Sequence, residues 1–337
     1  MITKLSISNF KSIRQLNIDC RKVNLFIGEP NTGKSNILEV LALLSYCGQP
    51  GDVPLRDYVR FQTMLDLFSD RLADQAVEIR VVTSDASHPE LLLALKADQS
   101  KVQFQTSQKE ARAGFRPFRI VTYTGDVEET VMVSTVMARI KFFRFKKLDR
   151  YESNGSEGLK PPSGTNLFSV VFRSEALQET MAEFFQKYGL ILAMEPNDRV
   201  FRLQKERQGR VRVVVNYPYA LQSDTLQRII FYTVAIASNK DSVLVFEEPE
   251  SNAFPYYTKY LGERIALDET NQFFIATHNP YLLSAIVEKG RNEDVQVFIT
   301  YFKDYQTKVK PLTPEEVTEL MEADPFFNLD RFVEETQ

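Results

Sequence analysis

Cysteine is scarce: Cys20 and Cys47 are the only two among 337 residues. They show no framework or metal-ligand spacing, which excludes a disulfide scaffold and points to reduced, structural thiols. No apolar run reaches the roughly 18 residues of a membrane span. The opening "MITKLSISNFKS" lacks the apolar stretch of a secretory signal. A cytoplasmic protein with no membrane association is the expectation. Basic excess is also missing. The net charge of −4 and pI of about 5.5 exclude a chain that is basic throughout, leaving only local patches for nucleic acid. No internal repeat or heptad run appears, so a long coiled coil is excluded. What the chain does have is 43% hydrophobic residues, enough for one large domain or two ordinary ones.

Period-two alternation predicts strands over "ITKLSISNF" and "IRQLNIDC", followed by a more buried strand, "KVNLFIG". Helical spacing follows over 33–46, then a Pro/Gly break at 49–57 and a second helix over 58–69. Strand-like runs at 76–83, 91–97, 101–107 and 118–124 have hairpin spacing and predict an antiparallel sheet. "NGSEGLKPPSG" (154–164) is the strongest linker signal. A helix over 165–188 and short strands at 190–195, 199–205 and 210–216 come next. From 223 onward helices and apolar strands alternate, which implies parallel strands with crossover helices.

Three segments carry chemistry. Gly28-Glu29-Pro30-Asn31-Thr32-Gly33-Lys34-Ser35 fits the phosphate-loop pattern G-x-x-x-x-G-K-[ST] between a strand and a helix. Its glycines let the backbone wrap close to phosphate oxygens, and the helix N-terminus adds a positive dipole end. Lys34 would neutralise β/γ-phosphate charge and Ser35 would hold Mg²⁺. In "VLVFEEPE" an apolar strand delivers Glu247 and Glu248 to its carboxyl edge, where adjacent carboxylates need a cation or a proton. Glu247 is the expected metal-side acid, and Glu248 the group that orients or deprotonates water. A solvated acidic helix cap is the plain alternative. In "FFIATHNP", His278 follows a third buried strand, placed to meet the γ-phosphate or the lytic water. An ordinary turn histidine is the alternative there, and it is the better reading of His88.

In this order and spacing the three motifs resemble the ABC-type ATPases of the RecF, SMC-like and OLD-like branch. "ITKLSISNFKSIRQLNI", "LKPPSGTNLFSVV" and "DTLQRIIFYTVAIASNKDSVLVFEEPESNAFPYY" extend the resemblance over most of the chain; 84–150 matches least. It implies an α/β P-loop NTPase with a mixed, mostly parallel core sheet, an antiparallel subdomain and a helical lobe. The implied division is an N-terminal ATPase lobe over 1–124, an arm and helical insert over 125–222, a C-terminal ATPase lobe over 223–310 and a tail over 311–337. ATP and Mg²⁺ are the implied cofactors, held by Gly28 to Ser35 with Asn36 on the first helical turn. Glu248 matches the catalytic glutamate and His278 the switch histidine, while Glu247 stands where the family usually has Asp. Ser251 and Asn252 fall in the segment that reaches across the family's head-to-tail dimer. Gln62 is a candidate metal contact by position alone. The signature segment departs from the family: "LQSDTLQR" has no glycine, and Asp224 brings a negative charge towards phosphates. Ser223 is then either a contact to a partner's γ-phosphate or a helix cap only.

The resemblance implies a homodimer or higher homo-oligomer controlling nucleic acid or a separate effector protein, and it allows a role in phage defence or DNA repair. About 35 residues follow the last predicted strand, too few for the fused nuclease domain of many OLD-like proteins. A nucleotide-switched binding module with little hydrolysis is the main alternative, and a transporter subunit fits less well. Two basic stretches, 139–150 and 199–213, are candidates for phosphate-backbone contact. The phenylalanines of the first could stack on bases. Solvated strand faces with phenylalanines buried beneath are the better reading of both.

Overall fold

The computed structural model describes the chain apart from residues 50–52, 99–100, 109–115, 123, 131–134, 154, 208–210, 212, 323–325, 327–328 and 335–337. Three strands open it, β1 (Ile2–Phe10), β2 (Ile13–Asp19) and β3 (Val23–Ile27), followed by helix α1 (Lys34–Cys47). Next come β4 (Val77–Thr83), β5 (Glu90–Asp98), β6 (Lys101–Gln108), β7 (Arg116–Thr122) and β8 (Val127–Thr130). The middle of the chain holds α2 (Thr135–Arg139), β9 (Ile140–Phe143), α3 (Leu167–Phe172), α4 (Glu175–Gln186), β10 (Ile191–Glu195), β11 (Val200–Arg207) and β12 (Val213–Pro218). The last part alternates: α5 (Asp224–Ser238), β13 (Val243–Glu247), α6 (Pro255–Ala266), β14 (Gln272–Ala276), α7 (Pro280–Lys289) and β15 (Val295–Lys303). It ends with β16 (Gln306–Pro311), α8 (Pro314–Glu322) and α9 (Leu329–Glu334).

These strands form three sheets. The first is antiparallel, in the order β2-β1-β4-β5-β6-β7-β8. The second is the core, in the order β16-β15-β3-β14-β13-β9, parallel throughout except for β16. A small antiparallel sheet, β10-β11-β12, stands beside the helices. The mixed α/β architecture expected from the sequence is therefore present.

The continuous apolar runs of the core strands follow from burial on both faces. Val245 and Phe274 pack with α1 and the antiparallel sheet, while their neighbours Phe246 and Ile275 pack under the helical side. Between the two sheets α1 is enclosed nearly all round, with every residue from Ile37 to Cys47 buried. A helix apolar on all sides is one buried on all sides.

Several expectations fail for identifiable reasons. Residues 58–69 form short 3₁₀ turns, Met64–Leu67 among them, and no α-helix. Side chains satisfy the backbone there. Asp66 accepts from the Gln62 and Thr63 N–H groups, and Arg56 donates to the Phe61, Gln62 and Thr124 carbonyls. Those local bonds compete with a helix. The expected helix at 165–188 is two helices, because Ser174 caps the second by accepting from Leu177 N–H at 3.4 Å. Nor is 154–164 a free linker. Leu159, Pro161 and Pro162 are buried, and the Leu159 and Lys160 N–H groups bond Ser238 and Asn166. β8 pairs with β7 and β9 joins the core sheet, so part of the segment expected as an insert from 125 completes the two large sheets. The junction expected at Gln208-Gly209 lies outside the described residues.

Candidate functional site

The parallel strands β3, β13, β14 and β9 deliver their carboxyl ends to one edge, where ligands bind in open α/β sheets. The loop after β3 is shaped by two glycines. Gly28 has φ 147°, and a Cβ there would lie 2.1 Å from the Thr300 carbonyl oxygen. Gly33 has φ 101°, and a Cβ would lie 1.9 Å from Thr307 Oγ1 on β16. Only glycine fits either place. No side chain caps α1, so its first-turn N–H groups are left for an anion. At the same turn Asn36 Nδ2 donates to Ser12 Oγ at 2.7 Å, and Ser12 Oγ lies 2.6 Å from Thr307 Oγ1.

Lys34 folds back over the loop and donates to the Gly28 and Glu29 carbonyls at 2.7 and 2.6 Å. Burial lowers its ammonium to about 8, although the Glu248 and Glu29 charges oppose this. A phosphate held by Lys34 would need the charged form, so ATP binding there would take up a proton once pH exceeds that value. The dissociation constant for ATP should therefore be nearly flat below about pH 7.5 and weaken towards tenfold per unit above about 8. Calorimetry between about pH 7.5 and 9.5 checks this; a constant affinity would exclude the lysine as the linked group.

Glu247 ends β13 and is largely buried, with 16% of its side chain exposed. Arg144, just past β9, donates to its Oε2 at 2.7 Å, and Arg60 Nη2 lies 3.7 Å from its Oε1. The Ser35 side chain lies close enough to act on this carboxylate. Burial pushes the Glu247 carboxyl up, but Ser35, Arg144 and Arg60 together hold it below the usual range. Arg60 in turn bonds Glu39 of α1 through Nε at 2.7 Å and its backbone N–H at 3.1 Å. Lys11 pairs with the other oxygen of Glu39.

Glu248 is exposed and has φ 44°, with its N–H on the Ala276 carbonyl at 2.9 Å. His278 Nε2 lies 3.4 Å from Glu248 Oε1. Burial and the nearby Lys34 charge lower the imidazole below its ordinary value, against Glu248, so it is mainly neutral at pH 7. Asn279 caps α7 by accepting from the Tyr281 and Leu282 N–H groups, which fixes the loop that carries His278. Beneath lies Glu250, 4% exposed, which accepts from Thr277 Oγ1. Burial, with the Glu248 charge adding to it, raises its carboxyl to about 7. Glu250 thus ties the segment after β13 to the segment after β14.

The sequence candidates Lys34, Ser35, Glu247, Glu248 and His278 come together at this edge. Gln62 does not. It is exposed, and no hydrogen bond or ion pair joins its side chain to Ser35 or Glu247. The place beside the acidic strand belongs to Arg144. The run "IKFF" before it reads as a buried strand ending at the site, but its partner β13 is about a hundred residues away. Ser223 is the N-cap residue of α5 and is exposed, with no cap hydrogen bond. Asp224 pairs with Lys147 at 3.2 Å. In the first basic stretch Phe142 and Phe143 are core residues, so they cannot stack on bases. Arg144 is committed to Glu247, while Lys141 bonds Asn239 and Arg139 faces Asp85. In the second, Phe201 and Leu203 are buried and Arg202 pairs with Glu195; 208–210 and 212 lie outside the described residues.

A hydroxyl and a carboxylate side by side suit a hard, oxygen-seeking dication such as Mg²⁺ whose other positions go to phosphate and water. Among the described residues no cluster of three or more His, Cys, Asp or Glu side chains offers a self-sufficient metal cage, and no helix is long and apolar enough to cross a membrane.

Residues 1–112 match the family model described as "AAA ATPase domain". Residues 171–284 match one described as "AAA domain, putative AbiEii toxin, Type IV TA system". No curated protein matches the chain. Among solved structures, an Smc head bound to the C-terminal winged-helix domain of ScpA aligns with TM-score 0.56 at 14% identity, covering 94% of this chain and 99% of that one. An Smc head with an extended coiled coil, bound to the C-terminal domain of ScpA derived from Pyrococcus furiosus, aligns with TM-score 0.55 at 12% identity, covering 95% and 98%. At such identities the structures speak for the fold. The two family matches, with the site, give an ATP-binding and ATP-hydrolysing domain of the AAA type, and its fold is the one shared with the SMC heads.

Proposed function

We propose that this ATPase is a nucleotide-driven regulatory engine that closes into a homodimer or higher homo-oligomer on ATP and reopens on hydrolysis. The convergence of Lys34, Ser35, Glu247, Glu248 and His278 on one sheet edge carries this reading. The loop 28–36 would wrap the triphosphate, and Lys34 would leave its two carbonyls for the β/γ-phosphates. Ser35 and Glu247 would hold Mg²⁺, which when bound neutralises phosphate charge. Glu248 would orient and deprotonate the attacking water, with neutral His278 beside it as a hydrogen-bond partner for the γ-phosphate or the water.

Support for self-association lies on the same edge. Ser223 is exposed with no cap bond, and Asp224 turns to Lys147. Leu221, Phe254 and Tyr281 are 76%, 67% and 55% exposed on or beside the loops of that rim. Thr225 Oγ1 donates to the Asn252 carbonyl at 2.7 Å, so the signature-like turn and the segment after β13 form one surface. A second copy would cover it. The output would pass to a separate effector protein. The match of residues 171–284 to a putative toxin domain of a toxin–antitoxin system favours such a partner over a transporter. Among the described residues, and apart from the paired Arg139 and Lys147, nucleic acid would have the exposed Lys146 and Arg150 of the first stretch and Lys205 and Arg207 of the second.

Sedimentation should show a shift from monomer to dimer mass with ATP and Mg²⁺ that ADP does not produce. Ser223→Arg should abolish the shift while leaving ATP binding intact. A mass unaffected by nucleotide would overturn the proposal.

A further inference from the structure

We propose that Arg144 makes divalent-metal binding conditional on ATP, by occupying the Glu247 carboxylate as a counter-ion until a triphosphate draws the guanidinium away. The inference rests on the reading above, in which Glu247 and Ser35 hold Mg²⁺.

Both oxygens of Glu247 already face cations. Arg144 Nη2 is 2.7 Å from Oε2, and Arg60 Nη2 is 3.7 Å from Oε1. Ser35, the other metal-side group, lies close enough to the same carboxylate to act on it. A dication arriving alone would have to displace a permanent cation from a largely buried acid, and would meet its repulsion at short range. The two arginines differ in their alternatives. Arg60 has Glu39 as a second partner, at 2.7 Å, and can stay where it is. The Arg144 guanidinium has Glu247 as its one ion-pair partner among the described residues, and it lies 5.1 Å from the Phe142 ring, which braces it from one side. Its backbone is anchored, with N–H on the Pro162 carbonyl at 2.9 Å, so only the side chain needs to move.

ATP changes this balance in two ways. It presents phosphate oxygens that accept a bidentate guanidinium, and it brings its own metal. Arg144 would then exchange a carboxylate for a phosphate, and Glu247 would be released to the metal. Lysine would serve less well, because it cannot form the planar fork on either partner.

Mn²⁺ serves as the probe, followed by electron paramagnetic resonance on the full chain. Nucleotide-free wild type should bind it weakly. Arg144→Gln and Arg144→Ala should each lower the apparent Kd at least about tenfold, and adding Glu247→Gln should cancel the gain. Wild type with a non-hydrolysable ATP analogue should bind Mn²⁺ tightly. If it does not, the assignment of Glu247 and Ser35 fails. If it does, yet folded Arg144 variants stay within about twofold of wild type without nucleotide, only the counter-ion role fails. Tight Mn²⁺ binding by nucleotide-free wild type overturns that role whatever the variants do.

Discussion

Glu248→Gln should lower ATP turnover by about 10²–10⁴-fold while changing KM no more than about threefold. The residue stands exposed past the end of β13, outside the 28–36 loop proposed to wrap the triphosphate, so ground-state binding by Lys34 and the α1 N-terminus would stay in place. Glutamine has the same shape and can still accept from Ser251 Oγ, which lies 3.2 Å from Glu248 Oε2. It cannot take a proton from water. His278, 3.4 Å away, has Glu248 as its one ion-pair partner among the described residues, so the variant also removes the carboxylate that orients it. Phosphate release with kcat and KM measured separately decides the matter. A variant within about threefold of wild type in kcat would remove Glu248 from the role of general base. If ATP closes a dimer, the same variant should accumulate in the closed form, visible by sedimentation.

Glu39→Ala should destabilise the protein by about 3–5 kcal/mol, the usual cost of breaking a buried ion pair by deleting one partner. The Glu39 side chain is fully buried, and that of Lys11 is 13% exposed. Burial already lowers the Lys11 ammonium below its ordinary value, against the attraction of Glu39. Deleting the carboxylate leaves the largely buried Lys11 charge with only the Arg60 carbonyl and takes the acceptor from the Arg60 backbone N–H. Urea unfolding, read through the shift in midpoint, should show the loss. Glu39→Gln should be milder, since an amide oxygen still accepts from Arg60. A change under about 1 kcal/mol for alanine would mean that the network is solvated in solution. The same residue reaches the site: through Arg60 it supports Glu247, so the surviving alanine protein should also bind ATP with Mg²⁺ less tightly.

The parts of the site visible in the sequence are those whose meaning is local. A phosphate loop is eight consecutive residues, and Glu247, Glu248 and His278 each end an apolar run that can only be a buried strand. The counter-ions are of another kind. Glu39, Arg60 and Arg144 matter through contacts that span 21 to 103 residues of sequence. No periodicity records such contacts. Glu39 did leave a trace, as a lone acid inside a helix apolar on every face, and a charge so placed needs a partner. Gln62 is a candidate by chain position alone, whereas the neighbour of the acidic strand is decided by sheet order, and that order puts β9 there. Residues 58–69 misled because their apolar spacing suits a helix, while Asp66 and Arg56 capture the backbone groups that a helix would use.

The position of β3 bears on how the molecule is made. Its lateral partners are β14 and β15, and the turn at Gly33 is closed by Thr307 of β16. A nascent chain that ends before β14 carries its phosphate loop on a strand with both edges bare, exposed to pairing with other chains. The antiparallel sheet, whose strands all precede residue 131, can assemble much earlier. With the triphosphate held as proposed by the 28–36 loop, nucleotide capture would be among the last events in this chain's biogenesis. ATP, which recognises only the finished arrangement, would then favour completed molecules over partly folded ones by mass action.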